Sequence, residues 1–217
     1  GGNWLLPACG ELTPAMIARV IASRIGRYFT SLVIRDRLAF LEQKDQQLQL
    51  PREVIPRVPY YCSGCPHNTG TRLPDGSVAL AGIGCHYMAT WLYPSTKTYT
   101  QMGGEGVPWI GIAPFSDTPH IFANLGDGTY FHSGILAIRA AVAANVNITY
   151  KILYNDAVAM TGGQHVDGTL TVPILTRQLA AEGVNRIVIT SDEPEKYDLV
   201  NDLAEGVTVH HRDQLDD

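Results

Sequence analysis

The sequence predicts an α/β fold in which a parallel β-sheet is covered by helices on both faces, with a helical extension at the amino-terminal end. Two observations predict this fold. From about residue 51, short β-type runs alternate with helix-type runs, as in proteins built on a parallel sheet. Some strands are also continuously apolar, such as Ile187-Val188-Ile189, which is typical of strands that are buried on both faces.

The sequence of the first fifty residues predicts two helices. Thr13-Pro14 is a favourable helix start, because a hydroxyl can cap the first turn and proline fits its first position. Apolar side chains then recur at helical spacing from Met16 to Phe29, and a second helix is predicted from Ser31 to Leu48. We interpret residues 1–50 as an extension or linker that packs on a neighbouring domain, and residues 51–217 as the main domain.

The main domain is predicted to contain strands and helices in alternation. The predicted strands are Ser77–Ile83, His120–Gly126, Ile148–Asn155, Arg186–Thr190 and Gly206–His210. The predicted helices are Cys85–Leu92, Ser133–Ala144, Val172–Glu182 and Glu195–Glu205. Ligands of such sheets bind at the carboxyl ends of the strands, so the residues that follow the strands are the first candidates for a site.

Composition argues against several classes of protein. The 217 residues carry a formal net charge of −5 without a Lys/Arg cluster, which argues against a nucleic-acid-binding surface. No apolar run is long enough to span a bilayer and no signal-peptide pattern opens the chain, so we expect a cytoplasmic protein without membrane contact. Because the chain begins with Gly and ends in a helix-like opening, Arg212–Asp217, we expect a fragment of a longer polypeptide.

Polar residues follow two consecutive predicted strands. Gly126-Asp127-Gly128 ends one strand, and Asn155 ends the next, so both groups are expected at the same edge of the sheet. The Asp127 carboxylate, the Asn155 amide oxygen and a backbone carbonyl near Ala157 are oxygen ligands of the kind that Mg²⁺ prefers. The glycines allow a phosphate to approach the backbone, and the following helix start favours an anion. An ordinary strand-to-helix turn, with Asn155 as a cap, remains the alternative.

Three of the four cysteines are spaced for metal or redox chemistry. Cys62 and Cys65 are separated by two residues, and Cys85 follows a strand later. In a cytosolic chain such spacing indicates a metal site or redox centre before a disulfide. Thiolates suit both iron–sulfur clusters and zinc, and a zinc site would add His67 or His86 to the three cysteines. These residues leave the two possibilities open, whereas Cys9 is interpreted as an ordinary thiol.

Longer stretches around these motifs resemble the 2-oxoacid:ferredoxin oxidoreductases, and among them the fused, single-chain indolepyruvate ferredoxin oxidoreductases. The resemblance rests on Gly126–Gly134 and on Tyr154–Gln164, which includes a distinctive Met-Thr-Gly-Gly-Gln run. Further matches are Cys62-Ser63-Gly64-Cys65-Pro66-His67, Gly82-Ile83-Gly84-Cys85-His86 and Met102-Gly103-Gly104-Glu105-Gly106. Together they cover most of the chain from about Tyr60 to about Tyr197.

The resemblance implies a thiamine-diphosphate-binding fold that holds thiamine diphosphate, Mg²⁺ and part of a [4Fe–4S] cluster. The candidate cofactor-binding residues are Gly126, Asp127, Gly128, Asn155, Thr161, His67, Gly84 and Cys85. Asp127, Asn155 and the backbone carbonyl of Ala157 are the candidate Mg²⁺ ligands. Cys62, Cys65 and Cys85 are the candidate cluster ligands, and we expect the fourth beyond Asp217. Glu105 is either a pocket carboxylate or a residue tolerated in a turn.

The implied reaction is oxidative decarboxylation of a 2-oxoacid, indolepyruvate or another arylpyruvate, to an acyl-CoA, with electrons passing through the cluster to ferredoxin. The expected partners are the remaining domains or subunits of the enzyme, ferredoxin, the 2-oxoacid and coenzyme A, in a homo-oligomer. In the family, the carboxylate that activates the aminopyrimidine ring belongs to another domain. We therefore assign no catalytic acid or base, and we expect the isolated chain not to turn over substrate.

Two alternatives remain at this point. A non-oxidative thiamine-dependent decarboxylase or synthase would share the Asp127 and Asn155 site, but it has no use for three cysteines. A zinc-stabilised α/β interaction domain without enzymatic activity would use the cysteines, but it has no use for a diphosphate site.

Overall fold

The computed structural model of the protein describes residues 4–49, 57–198 and 202–215. The chain divides into two compact units, Gly1–Arg57 and Val58–Asp217. The boundary predicted between residues 50 and 51 lies outside the described residues.

The first unit contains the two helices predicted from the sequence, α1 (Pro14–Ile25) and α2 (Leu32–Gln49). The Thr13 hydroxyl accepts a hydrogen bond from the backbone N–H of Met16 at 3.3 Å, which caps the first turn of α1. Arg19 on α1 forms ion pairs with Asp45 and, at 3.8 Å, with Glu42, both on α2. These ion pairs hold the two helices side by side.

Four parallel strands form the central sheet of the second unit, in the order β2-β1-β3-β4. The strands are β1 (Ala79–Ala81), β2 (Thr96–Tyr99), β3 (Ile121–Gly126) and β4 (Ile148–Leu153). β3 and β4 pair over their whole length, from Ile121 opposite Ile148 to Gly126 opposite Leu153. Because of this register, the two strands end at the same level of the sheet.

Helices and turns surround this sheet, which confirms the predicted α/β fold. The helices are α3 (His67–Gly70), α4 (Ala89–Leu92), α5 (Val107–Ile112), α6 (Asp127–Thr129), α7 (Ile135–Ala143) and α8 (Val172–Ala181). One π-helical turn spans Tyr130–Gly134. Short 3₁₀ turns lie at Cys85–Met88, Ala113–Phe115, Ala159–Thr161, Pro194–Tyr197 and Arg212–Gln214.

Two apolar clusters fix β3 in the interior. The larger cluster joins β3, the π-helical turn, α7 and α8 through Leu125, Tyr130, Ile138, Leu170, Leu175 and Leu179. The smaller cluster contains Leu80, Trp109 and Ile121. Since full burial of one such side chain contributes roughly 2 kcal/mol, the end of β3 is held by several kcal/mol of packing.

Several features differ from the sequence-based prediction, among them the short helices α3 and α5, which were not predicted. β5 (Val188–Ser191) and β6 (Thr208–His211) pair with each other in a separate parallel sheet, rather than extending the first. The helix predicted over Glu195–Glu205 is wrong where the structure describes it, because only Pro194–Tyr197 forms a 3₁₀ turn and residues 202–205 are not helical. The described residues of that segment are half-buried or exposed, so they have no buried apolar face that would stabilise a helix. Strand β2 was not predicted, because its Thr-Lys-Thr-Tyr sequence is polar.

Among the described residues, no helix has the length and apolar character needed to cross a membrane.

Gly106 occupies a position that no larger residue fits. Its replacement therefore tests the packing next to α5. Its φ is +82°, and a Cβ would stand 2.5 Å from the Tyr150 hydroxyl oxygen. We expect Gly106→Ala to lower the free energy of unfolding by about 2 kcal/mol or more, measured by urea denaturation. Gly111 lies in α5, the helix that begins after Gly106, with no atom within 4 Å of its Cβ position, so Gly111→Ala is the matched control and should cost nothing. Equal stability of the two variants would show the packing to be wrong.

Candidate functional site

The ends of β3 and β4 meet at the side chain of Asp127. This carboxyl group is buried, with 2% of the residue exposed. Its Oδ2 atom accepts hydrogen bonds from the backbone N–H groups of Asn155 at 2.8 Å and Asp156 at 2.6 Å. Its Oδ1 atom accepts one from the N–H of Gly128 at 2.8 Å. The side chain of Asp127, directly after β3, therefore binds the backbone of the segment that follows β4.

Asn155 lies directly beside this carboxyl group in an exposed turn. Its Oδ1 atom accepts a hydrogen bond from the backbone N–H of Ala157 at 3.1 Å, and Asp156 has the left-handed φ of +54° that a tight turn requires. A carboxylate offers about four acceptor positions, of which the three N–H groups use three. The side chains of Asp127 and Asn155, at one edge of the sheet, both offer oxygen atoms of the kind that Mg²⁺ prefers.

The backbone after Asp127 is arranged to favour an anion. Helical residues run without a break from α6 through the π-helical turn into α7, from Asp127 to Ala143. The first N–H groups of a helix lack partners within the helix and favour negative charge, such as a diphosphate. Insertions of π-helical geometry are frequent at functional sites. An anion at this helix start would lie next to the side chains of Asp127 and Asn155.

The three cysteines of the predicted cluster lie near one another. Cys62 and Cys65 belong to one tight turn, in which the N–H of Cys65 donates to the Cys62 carbonyl at 3.1 Å. The Asn68 amide nitrogen donates to both cysteine carbonyls, at 3.1 and 3.0 Å, and so holds the turn. Burial raises the pKa of the Cys85 thiol, and the neighbouring Cys65 and Cys62 raise it further. Such a group of thiols fits an iron–sulfur cluster chemically.

Two imidazole rings connect the cysteine turn with the end of β3. The His67 Nδ1 atom lies 3.3 Å from the Cys65 sulfur, and the His67 ring is nearly parallel to that of His86, with centroids 6.1 Å apart. The Cε1 atom of His86 lies 3.4 Å from the position that a Cβ on Gly126 would occupy. Burial, and to a lesser extent His67, lower the pKa of His86 to about 4, so its ring is neutral near pH 7. The structure places His67 beside Cys65, whereas a contact with a diphosphate remains a prediction.

Comparison with known proteins identifies the family to which the chain belongs. Residues 82–200 match the family described as "Thiamine pyrophosphate enzyme, C-terminal TPP binding domain". The matched region includes β3 and β4. It also includes Asp127 and Asn155, which are joined by the hydrogen bond from the Asn155 backbone N–H to the Asp127 carboxylate. This chain belongs to that family.

Proteins similar to this thiamine pyrophosphate enzyme domain come from archaea. The "Indolepyruvate oxidoreductase subunit IorA" of Pyrococcus horikoshii is 26% identical over 244 aligned positions, covering 96% of this chain and 36% of the relative. The Pyrococcus abyssi protein of the same name is 28% identical over 245 positions, with the same two coverages. That of Archaeoglobus fulgidus is 30% identical over 128 positions, covering 56% of this chain and 20% of the relative. The chain thus spans at most about a third of the relatives' length.

The remaining predicted residues of the thiamine pyrophosphate enzyme domain lie around this edge of the sheet. Gly84 has a φ of +154°, and a Cβ there would stand 2.6 Å from the Cε1 atom of His86, so only glycine fits. Thr161 lies in an exposed turn, where its hydroxyl donates to the Gln164 amide oxygen at 2.9 Å. Val158, which precedes that turn, lies 3.1 Å from the Cβ position of Gly128. The turn that carries Thr161 is therefore next to the Gly126-Asp127-Gly128 segment, although Thr161 itself has its contacts within the turn.

A zinc site at the cysteines would require the ligand atoms to surround one ion. A closed zinc site needs its thiolates about 2.3 Å from one ion. In the described parts of the chain, no group of three or more His, Cys, Asp or Glu side chains is arranged to hold a metal ion, so the structure favours neither zinc nor an iron–sulfur cluster at these cysteines.

Sequence reasoning missed part of the buried polar interior next to the site. Asn124 on β3 is fully buried, and neither its side-chain oxygen nor its nitrogen has a hydrogen-bond partner. A signal for it was present, because Asn124 interrupts the apolar run from Ile121 to Leu125. Glu105 was recognised as a candidate, but its burial was not predicted, and only 1% of the residue is exposed.

Burial of Glu105 predicts a pH dependence of stability. Desolvation raises the pKa of this carboxyl group above 4.5, although the backbone N–H groups of Glu105, Gly103 and Ile83 partly oppose the effect. Because the folded state then binds the proton more tightly than the unfolded state, the stabilising contribution is complete below pH 4.5 and is lost as pH rises through the folded-state pKa. Glutamine cannot titrate. As pH rises through the folded-state pKa of Glu105, we therefore expect the unfolding free energy of Glu105→Gln to increase relative to that of the wild type.

The measurement is urea denaturation of both proteins between about pH 4 and about pH 8. The Tyr150 hydroxyl, which donates to the Glu105 backbone carbonyl, has a pKa raised by burial and by Glu105, so it does not titrate in this range. The neighbouring His86 is present in both proteins. A difference in unfolding free energy that does not change with pH would contradict the assignment.

Proposed function

We propose that this chain is the thiamine-diphosphate- and Mg²⁺-binding domain of an oxidoreductase that oxidatively decarboxylates a 2-oxoacid. The proposed substrate is indolepyruvate or another arylpyruvate, the product is an acyl-CoA, and electrons pass through a [4Fe–4S] cluster to ferredoxin. The observation that carries the proposal is the junction of two strand ends at Asp127, whose carboxyl group binds the backbone of Asn155 and Asp156.

Support for the cofactor comes from the family and from the donor chemistry. The domain belongs to a family described by its thiamine pyrophosphate binding. Asp127, Asn155 and the backbone carbonyl of Ala157 would hold Mg²⁺, since all three offer oxygen atoms. The N–H groups at the start of α6, including that of Gly128, would hold the diphosphate. Bound thiamine diphosphate supplies the carbanion nucleophile and the electron sink that decarboxylation needs.

The residues of this chain bind and orient the cofactor. The burial of Asp127 excludes water from the carboxyl group, which strengthens its attraction for a cation. The hydrogen bonds of Asp127 to the backbone keep Asn155 at the same edge of the sheet, so binding of a cation would need little movement of the backbone. No residue of this chain is assigned as a catalytic acid or base, and we expect the isolated chain not to turn over a 2-oxoacid.

The cysteines support the oxidative reaction over a non-oxidative one. Cys62 and Cys65 are electrostatic neighbours of Cys85, and Cys85 precedes His86, whose ring lies near Gly126. They would supply three ligands of a [4Fe–4S] cluster, with a fourth from outside this chain. A non-oxidative thiamine enzyme transfers no electrons and has no use for such a cluster.

The names of the relatives support the substrate class and the partners. Those proteins are called subunits of indolepyruvate oxidoreductase, and this chain spans about a third of their length. We therefore propose that the remaining domains or subunits of the same enzyme complete the site, in a cytoplasmic homo-oligomer that uses coenzyme A and ferredoxin.

Titration calorimetry tests the cofactor assignment. We expect thiamine diphosphate to bind this chain in the presence of Mg²⁺ and to lose measurable binding when the cation is removed with EDTA, because Asp127 would otherwise face a diphosphate of like charge. Thiamine monophosphate serves as the control ligand, since it lacks the second phosphate. Binding that does not depend on Mg²⁺, or no binding at all, would refute the proposed function.

A further inference from the structure

A buried glutamate lies next to the proposed cofactor site without a role in it. Glu105 is 1% exposed, and it belongs to the loop Met102–Gly106, which leads into α5. Burying a carboxyl group costs free energy unless the group makes compensating contacts. A neutral residue would stabilise the fold better at this position, so the contacts of Glu105 should indicate what the acid contributes.

The carboxyl group of Glu105 contacts two loops. Its Oε2 atom accepts a hydrogen bond from the backbone N–H of Gly103 in its own loop at 2.7 Å. The backbone N–H of Ile83, in the loop that follows β1, also faces the carboxyl group and opposes the rise of its pKa. The Cγ atom of Glu105 lies only 3.1 Å from the position that a Cβ on Gly82 would occupy. Glu105 is thus packed directly against the first residues of the loop Gly82–Cys85.

That second loop carries the residues predicted to contact the cofactor and the cluster. It contains Gly84 and ends at Cys85, after which His86 turns back into the interior. The Nε2 atom of His86 lies 2.7 Å from the same Cβ position of Gly82, and its Cε1 atom lies 3.4 Å from that of Gly126. A line of contacts therefore runs from Glu105 through Gly82 and His86 to the segment that carries Asp127.

The other carboxylate oxygen of Glu105 strengthens this interpretation. Oε1 is buried and has no hydrogen-bond partner, and the same is true of the Nε2 atom of His86. Two unsatisfied polar atoms beside the same glycine are costly, and natural structures keep such groups mainly where they serve the function.

We propose that Glu105 is a positioning residue whose buried carboxyl group holds the loop Gly82–Cys85 against the loop Met102–Gly106. This contact determines the positions of Gly84 and Cys85 relative to the Gly126–Asp127 segment. This inference rests on the proposed function, because the ligand it serves is Mg²⁺-bound thiamine diphosphate. Glu105 acts through the loop and does not touch the cofactor.

The test compares the wild type with Glu105→Gln, Glu105→Asp and Glu105→Ala. Glutamine keeps the length and the acceptor oxygen, aspartate is too short to contact both loops, and alanine removes the contact. Leu179→Ala is the matched control, since Leu179 is also buried but belongs to the apolar cluster on α8. Three quantities are measured on each protein: the melting temperature, the Kd for thiamine diphosphate in Mg²⁺, and the alkylation rate of Cys85 followed by peptide mass spectrometry.

We expect Glu105→Gln to match the wild type in Kd and in alkylation rate. Glu105→Ala and Glu105→Asp should weaken cofactor binding about tenfold, because small misplacements of binding groups have large effects. Both should also alkylate Cys85 about tenfold faster, because the loop opens more often. Leu179→Ala should lower the melting temperature without either change.

The inference is overturned if Glu105→Asp and Glu105→Ala leave both Kd and alkylation unchanged, or if Leu179→Ala changes them equally. Should Glu105→Ala not fold, Glu105→Asp and Glu105→Gln still decide between the outcomes. A wild type that does not bind thiamine diphosphate would refute the proposed function, whereas the alkylation rates would still show whether Glu105 positions the loop.

Discussion

Replacing Asp127 by asparagine should reduce the affinity of the chain for thiamine diphosphate in Mg²⁺ by roughly 100-fold or more, since the cation loses its charged ligand. Asparagine keeps one oxygen and nearly the same shape. One of the N–H groups of Gly128, Asn155 and Asp156 that now bind the carboxylate can lose its partner, at about 1–3 kcal/mol of stability. Calorimetric titration below the melting temperature of the variant separates the loss of binding from the loss of stability.

Asp75→Asn is the control for this substitution. Asp75 lies in an exposed turn before β1, at the amino end of the strand, whereas the site lies at the carboxyl ends. It makes the same chemical change and should bind the cofactor as the wild type does. If Asp127→Asn retained the affinity of Asp75→Asn, Asp127 would not be a ligand of the cation.

Replacing Cys85 by serine in the intact enzyme should remove the iron–sulfur cluster. A cubane normally takes four thiolate ligands, so loss of one of the three in this domain leaves the cluster without adequate ligation. Iron content and the electron paramagnetic resonance signal of the dithionite-reduced protein should both fall to a small fraction of the wild-type values. Protein prepared without oxygen is required, because exposed clusters are oxidised in air.

Cys9→Ser is the matched control for the cluster. Cys9 is exposed and lies in the first unit, outside the group formed by Cys62, Cys65 and Cys85. It should retain iron and signal in full. An intact wild-type enzyme that contains zinc instead of iron, or no cluster signal, would contradict the oxidative reaction and favour the two alternatives that the sequence left open.

The sequence was sufficient to predict the central part of the fold and the approach of Asp127 and Asn155 at one edge of the sheet. Strands β3 and β4 are rich in apolar and aromatic residues and are separated by one helical segment, so a parallel pairing with adjacent carboxyl ends follows from the order of elements. The positions of Asp127 and Asn155 then follow directly, because each residue comes immediately after or close behind its strand.

Features that depend on tertiary contacts could not be predicted in the same way. The polar strand β2 forms because β1 offers it a hydrogen-bonding edge, and the sequence of β2 contains no sign of that edge. β5 and β6 have suitable strand sequences, but their pairing in a separate sheet is a property of the packed chain. The burial of Glu105 likewise depends on the approach of Gly82, which lies more than twenty residues away.

A crystal structure of this chain with Mg²⁺ and thiamine diphosphate tests the central claim most directly. We predict one cation bound by a carboxylate oxygen of Asp127 and the amide oxygen of Asn155 at about 2.1 Å, with diphosphate oxygens among the remaining ligands. A cation bound away from these two side chains, or a diphosphate that does not touch it, would contradict the claim.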